Sequence, residues 1–194
     1  MKKKLPFCLA ILLLFMISCS SNGEEFNTSK FNEIGRSDDE SKNTYLFPAY
    51  EVILDELPFT AKLPAVLPIP NDKSNNWQPG LIYANADLAE VKVELSMLHF
   101  EGNSKFDIWI SNYEPNHWQE EVEVGREITQ EDKVVGYFNQ WNNGAFVIVN
   151  FLEEDIYYRM QLYDPNISVE EKVNALIKSR NSLVDYNKWY DSVY

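Results

Sequence analysis

Histidine is scarce in this chain, which limits the catalytic arrangements that its residues can form. The two histidines, His99 and His117, have no partners at zinc-binding spacing, and no His-Glu-x-x-His motif is present. The sequence also lacks the Gly-x-Ser-x-Gly turn of serine hydrolases and a glycine-rich phosphate loop. We therefore predict no catalytic residue, no metal site and no cofactor.

Paired carboxylates are the remaining source of catalytic chemistry. The pairs Glu120-Glu121 and Glu153-Glu154 are candidates for the acid and base of a glycosidase. A charge run at the end of a strand is usually a solvated turn, so the same residues are also explained without catalysis. We expect a protein that is not an enzyme, and an envelope hydrolase using acidic residues on a glycan is the alternative.

Aromatic residues offer binding chemistry instead. The chain has five tryptophans and eleven tyrosines. Trp109 shares its strand parity with the polar residues Asp107 and Ser111, which predicts an exposed indole, and His117 and Trp118 follow in a predicted turn. An exposed ring can stack on a sugar or anchor a partner protein. We predict Trp109, Trp118 and His117 as binding residues; the alternative is that a C-terminal helix or a proline-rich connector covers Trp109.

The charge of the chain argues against nucleic-acid partners. Its formal net charge is −13, and it has no basic stripe that would displace counterions from phosphates. An acidic excess of this kind fits a solvated surface outside the cytoplasm. We predict no nucleic-acid binding.

The N-terminal residues have the organisation of an export signal. Lysines at 2–4 precede an apolar run over 5–17. At about 1.5 Å per residue this run reaches roughly 20 Å as a helix, too short to span a hydrocarbon layer of about 30 Å. The sequence Met-Ile-Ser-Cys at 16–19 resembles the lipobox of bacterial lipoproteins, in which the cysteine receives diacylglycerol before cleavage.

The resemblance implies a cellular location and a lipid anchor. Residues 1–18 are then a lipoprotein signal peptide, and Cys19 is the lipidation site. Removing residues 1–18 takes away three lysines and no acids, so the net charge changes from −13 to −16. We expect the mature protein on the extracytoplasmic face of the cell membrane, with the membrane as its partner through the lipid on Cys19. The alternative is an ordinary secretory signal with an incidental cysteine.

The rest of the chain divides into two parts. Residues 19–44 are mostly polar and have no sustained apolar period, which predicts a lipidated flexible tether. Residues 45–194 have the size of one domain and contain no internal repeat. We predict a single extracytoplasmic α+β domain over this range.

Strand patterns dominate this domain. Residues 91–97 alternate between apolar and polar side chains, and His99 has the buried parity of a structural histidine. Asn143-Gly144 predicts a hairpin, and Ser168 with Glu171 predicts a capped helix. The other strand candidates are 106–110, 122–124, 134–138, 145–151 and 156–162. The expected fold is a curved antiparallel sheet of six or seven strands with a C-terminal helix packed on one face.

The run from Phe59 to Pro68, followed by many short strands and a closing helix that begins at Ser168-x-Glu170-Glu171, resembles a bacterial domain family of unknown function. This family occurs in exported lipoproteins and at the extracytoplasmic end of some anti-sigma-factor membrane proteins. The resemblance covers roughly residues 50–184. It implies a curved antiparallel sheet with a packed helix and supplies no catalytic residues.

These observations favour an envelope lipoprotein that acts as a binding or interaction module for a protein or a cell-wall component. Besides the hydrolase alternative, a third hypothesis is a ligand-holding pocket beneath the helix. That hypothesis requires an apolar cavity of several hundred Å³.

Overall fold

The computed structural model describes residues 31–37, 42–47, 56–70 and 75–185. The predicted signal peptide and the predicted lipidation site Cys19 lie outside the described residues. In the part of the chain that is described, no helix is long and apolar enough to cross a membrane.

The described residues form a large antiparallel sheet, a short ribbon and two helices. In chain order the elements are β1 (Asn32–Ser37), β2 (Lys42–Phe47), β3 (Lys62–Pro64), β4 (Asn75–Trp77), β5 (Gly80–Ala84), β6 (Val91–His99), β7 (Ser104–Ser111), α1 (Trp118–Val124), β8 (Arg126–Gln130), β9 (Lys133–Trp141), β10 (Phe146–Glu153), β11 (Ile156–Tyr163), α2 (Val169–Arg180) and β12 (Leu183–Asp185). The sheet order is β1-β2-β5-β6-β7-β11-β10-β9-β8, and β4 also pairs with β6. Strands β12 and β3 pair separately as the ribbon.

The sheet has two chemically different faces, and β6 shows why. Its residues alternate strictly between buried and half-buried side chains from Val91 to His99. The register places Leu95 opposite Ile108 and Ile108 opposite Met160, so these apolar residues share what we term the core face. The opposite side, termed the open face, carries Lys92, Glu94, Trp109, Arg159 and Asn150.

The core face is covered by α2 and by the β3-β12 ribbon. The Ser168 hydroxyl accepts a hydrogen bond from the Glu171 amide in the predicted capping box, and Leu176 is fully buried against the core. On the ribbon side, the Lys62 amide donates to the Tyr158 hydroxyl over 2.9 Å. Burial of this hydroxyl raises the pKa of Tyr158 to about 12.

Local signals in the sequence located several elements correctly. The predicted helix and the predicted hairpin between β9 and β10 are confirmed. Asn142, Asn143 and Gly144 in its turn have φ values of 50°, 53° and 84°, which asparagine and glycine tolerate better than other residues. His99 is buried, and its Nδ1 accepts a hydrogen bond from the Gly102 amide over 3.1 Å, which fits a structural histidine.

The α+β class and the antiparallel pairing are confirmed, but the predicted strand count was wrong. Within the described residues the sheet has nine strands along its main path rather than six or seven. The missed edge strands carry little alternation: β8 has the single buried residue Ile128, and β1 is almost entirely exposed. Edge strands of this kind escape a search for apolar periodicity because few of their side chains reach a core.

Two further assignments differ from the prediction. Val122 and Val124, taken as strand residues, belong to α1. The helix carries Glu120 and Glu121 in its first turn, where acidic side chains interact favourably with the helix dipole. Residues 32–37 and 42–44, which were assigned to the tether, are paired in β1 and β2, where Tyr45 and Phe47 supply the apolar contacts to the core.

Candidate binding cleft

The predicted binding residues Trp109, Trp118 and His117 line one cleft on the open face. Trp109 lies on β7, and the chain then turns through Pro115 so that α1 returns across the sheet. The cleft has a volume of about 230 Å³. Its lining residues are Lys92, Trp109, Ser111, Pro115, His117, Trp118, Glu121, Tyr157, Tyr158 and Arg159.

Trp109 and Arg159 form the floor of the cleft. They are direct cross-strand partners on β7 and β11, and the Arg159 guanidinium lies 4.4 Å from the centre of the Trp109 ring. Stacking of this kind fixes a guanidinium and contributes about 0.5–1 kcal/mol or more when partly desolvated. Trp109 faces away from α2 and the ribbon, since both of these pack on the core face. The C-terminal helix and the proline-rich connector therefore do not cover the Trp109 indole.

The wall of the cleft is fixed by an ion pair between α1 and the sheet. Arg159 Nε donates to Glu121 Oε2 over 3.0 Å, and Arg159 Nη2 donates to Glu121 Oε1 over 3.1 Å. The Asn150 side-chain amide donates to Glu121 Oε2 over 2.9 Å. The side chain of Glu121 is only 12% exposed and that of Arg159 is 27% exposed, so the ion pair is largely shielded from water.

The backbone of α1 is tied to the sheet through the same residue. The Asn139 side-chain amide donates to the Glu121 carbonyl over 2.6 Å. None of the helix residues is buried. Glu121 therefore accounts for most of the polar attachment of α1 to the sheet.

Aromatic side chains form the opposite wall. Trp118 meets Tyr157 edge to face, with ring centres 4.9 Å apart. The Tyr157 hydroxyl is 3.5 Å from Glu114 Oε2, and partial burial, followed by the charge of Glu114, raises the pKa of Tyr157. His117 is exposed at the start of α1, and its side chain makes no capping hydrogen bond.

Lys92 adds a second cation to the lining. Its Nζ lies 4.4 Å from the centre of the Tyr83 ring on the neighbouring strand β5. With Lys92 and Arg159 against Glu121, the charged lining carries one net positive charge at neutral pH, whereas the whole chain carries −13. The cleft thus combines aromatic rings with one ion pair and one further cation, and Glu94 and Glu114 lie at its border beside Trp109 and Tyr157.

The described lining of the cleft does not supply the two carboxylates that a glycosidase uses for acid–base catalysis. Among the described residues that line the cleft, Glu121 is the one carboxylate, and both of its oxygens accept hydrogen bonds from Arg159. Glycosidases need two carboxyls with separate roles. No group of three or more potential metal ligands occurs in the described ranges.

The sequence patterns did not reveal four of the lining residues, which are Arg159, Glu121, Lys92 and Tyr157. The alternation of residues 156–163 gives Tyr157 and Arg159 the parity of polar side chains. However, only the cross-strand register brings them beside Trp109, and that register depends on contacts between segments about fifty residues apart in the chain.

Comparison with known proteins gives no match to a family model, to a curated protein or to a solved structure.

Proposed function

We propose that this protein is a lipid-anchored envelope lipoprotein and a non-enzymatic binding module, and that the cleft on its open face holds a component of the cell envelope. The observation that carries the proposal is the convergence of Trp109, Trp118 and Tyr157 with the Arg159–Glu121 pair around one cleft. Ligand sites are typically concave, mainly apolar, and furnished with a few placed polar groups. The proposed lipid anchor at Cys19 would hold the protein on the extracytoplasmic face of the membrane, and the resemblance to exported lipoprotein domains agrees with this location.

Support for the other hypotheses is weaker. A hydrolase would require a second carboxyl beside Glu121 in the cleft, and the nearby Glu114 instead faces the Tyr157 hydroxyl. A ligand pocket beneath α2 would require space where Leu176 and Ser179 are fully buried. We also propose that the sheet is curved, as the resemblance to exported lipoprotein domains implies.

The test is co-sedimentation of the full-length protein with isolated, lipid-depleted envelope material. Replacing Trp109 with alanine removes the aromatic part of the floor of the cleft. We expect binding to weaken at least about tenfold, as for a central aromatic residue of an interface. Trp141→Ala is the matched control, since Trp141 is 56% exposed on β9 and lies outside the cleft. This control should bind like the wild type.

Treatment of the envelope material then identifies the kind of partner. Loss of binding after glycan digestion indicates a saccharide, and loss after protease digestion indicates a protein; either supports a binding module. Wild-type protein that does not sediment with the material, or equal binding by the Trp109 and Trp141 variants, contradicts the proposal.

A further inference from the structure

Arg159 has the properties of a preformed carboxylate receptor. It lies on β11 inside the sheet, with β7 and β10 paired on either side, so its backbone is fixed. Trp109 supports the guanidinium at 4.4 Å. A planar guanidinium held in this way presents a two-pronged donor that matches a carboxylate.

The carboxylate now bound to Arg159 belongs to a short element that is attached to the sheet mainly through this one residue. Glu121 lies on α1, which has seven residues and buries none of them. Helices of this length are not stable alone and depend on their contacts. The receptor is therefore on the rigid sheet, while its present occupant is on a helix whose attachment depends largely on this pair. A ligand carboxylate that takes over the pair with Arg159 offsets much of the cost of releasing the helix.

The polar network around Glu121 also leaves an acceptor without a donor. Asn150 is fully buried and donates to Glu121, but its Oδ1 has no hydrogen-bond partner among the described residues. A buried acceptor without a donor is unfavourable. Asn150 does not line the cleft while Glu121 is in place, so a ligand hydroxyl can reach its Oδ1 only where the ligand replaces Glu121. A carboxylate alone has no donor at neutral pH, so the site fits a ligand that carries both a carboxylate and hydroxyl groups.

The remaining lining fits the ring of such a ligand. Trp109 and Trp118 provide aromatic surfaces, and Lys92 adds positive charge to the floor. The volume of about 230 Å³ is below the roughly 300–1,000 Å³ that is usual for drug-sized ligands, so one ring with its substituents is the appropriate size.

We propose that the cleft binds an acidic saccharide, and that the sugar carboxylate replaces Glu121 on Arg159. The proposal rests on the binding function given above and specifies its ligand. Glu121 then acts as an internal competitor: it keeps Arg159 paired when the cleft is empty and releases it, together with α1, when the ligand binds. Binding is therefore coupled to a movement of Trp118 away from Tyr157.

The experiment uses the full-length protein and two sugars that differ in one carboxylate. N-acetylmuramic acid carries a lactyl carboxylate that N-acetylglucosamine lacks, and the methyl ester of the acid keeps the substituent without its charge. By calorimetry we expect the wild type to prefer the acid over both neutral sugars by at least about tenfold, the usual value of a charge-assisted pair. Tryptophan fluorescence should change on binding, because Trp118 leaves Tyr157.

Glu121→Gln tests the internal competitor. The variant weakens the competing ligand of Arg159, so we expect the ratio of the affinity for the acid to the affinity for the neutral sugar to rise about tenfold. Glu154→Gln is the matched control, because Glu154 pairs with Lys62 over 2.7 Å on the other side of the molecule. It should leave both affinities unchanged. Arg159→Gln should abolish the preference for the acid.

Each other outcome overturns a defined part of the proposal. Equal binding of the acid, its methyl ester and the neutral sugar removes the role of Arg159, yet leaves a saccharide-binding module. An N-acetylated dipeptide that binds as tightly as the sugar acid shows that a peptide carboxylate is the ligand. Co-sedimentation with envelope material that needs Trp109, combined with no binding of any of these probes, overturns the acidic saccharide while the proposed function stands. The wild-type comparison with the methyl ester is decisive even where a variant does not fold.

Discussion

Asp107 is a buried carboxylate on the open face, and its side chain is only 1% exposed. It accepts hydrogen bonds from the Ser96 hydroxyl and from the Gln161 side-chain amide, and it pairs with Lys105 over 2.8 Å. Buried polar groups are tolerated where each finds partners, so this cluster replaces an apolar layer at the centre of the sheet. The cluster links β7 to β11, the two strands that carry Trp109 and Arg159, and so stabilises their pairing.

We therefore expect Asp107→Ala to destabilise the protein by about 1–3 kcal/mol, because the half-buried side chains of Ser96 and Gln161 lose their buried acceptor. Urea unfolding followed by circular dichroism measures the change. Glu127→Ala on the exposed edge strand β8 is the control and should change stability by less than about 0.5 kcal/mol. If the Asp107 variant is as stable as this control, the cluster does not hold the strands in place.

At the scale of elements, the capping box determines where α2 begins. The Ser168 hydroxyl accepts from the Glu171 amide over 3.2 Å, and the Glu171 carboxylate accepts from the Ser168 amide over 2.8 Å. The hydrogen bonds from the Ser168 side chain and amide lower the pKa of Glu171 from its ordinary value of 4.5. A carboxylate whose pKa is lowered by folding stabilises the fold above pH 4.5 and loses that contribution as the pH falls through its folded value.

Ser168→Ala should cost about 1 kcal/mol at neutral pH, the usual value of a lost N-cap. The difference in melting temperature between this variant and the wild type should shrink as the pH is lowered below 4.5, because protonation of Glu171 weakens the hydrogen bond from the Ser168 hydroxyl to its carboxylate, which the variant lacks at every pH. Asn174→Ala, in the exposed middle of the same helix, separates the cap from general helix propensity. A pH-independent difference would show that the Ser168 hydroxyl does not stabilise the charged Glu171 carboxylate.

Elements with local signals were predictable, and relations between distant elements were not. The capping box at Ser168 and the turn at Asn143-Gly144 involve residues within four positions of each other, so the sequence displays them directly. Parity alone placed Trp109 on the face opposite the core residues, but it did not predict that the indole is half-buried or that Asp107 and Ser111 on the same face are buried. The pairing of Glu121 with Arg159 spans 38 positions and depends on a helix that was taken for a strand. The Glu121–Arg159 pair could be identified only once the positions of α1 and β11 in the fold were known.

At the scale of the whole molecule, the position of β1 relates the cleft to the proposed anchor. Asn32 begins β1 at one edge of the sheet, thirteen positions after Cys19. Thirteen residues span at most about 45 Å when fully extended. The strand β7 lies four strands further across the sheet, or about 20 Å at the usual strand spacing. The cleft of an anchored molecule is therefore confined to the layer of the envelope next to the membrane.

The restriction of the cleft to the membrane-proximal layer depends on the proposed lipid on Cys19, and cysteine variants test whether that lipid is present. The wild type should fractionate with membranes and carry the mass of a diacylglyceryl group on Cys19, whereas Cys19→Ala should lose both properties. Cys8→Ala is the matched control, because Cys8 lies in the predicted signal peptide and leaves with it. Intact-mass measurement and membrane fractionation decide the question. If the wild type and Cys19→Ala are both unmodified and released, the anchor is absent, and the cleft must meet its ligand as part of a freely diffusing protein with no restriction to the membrane-proximal layer.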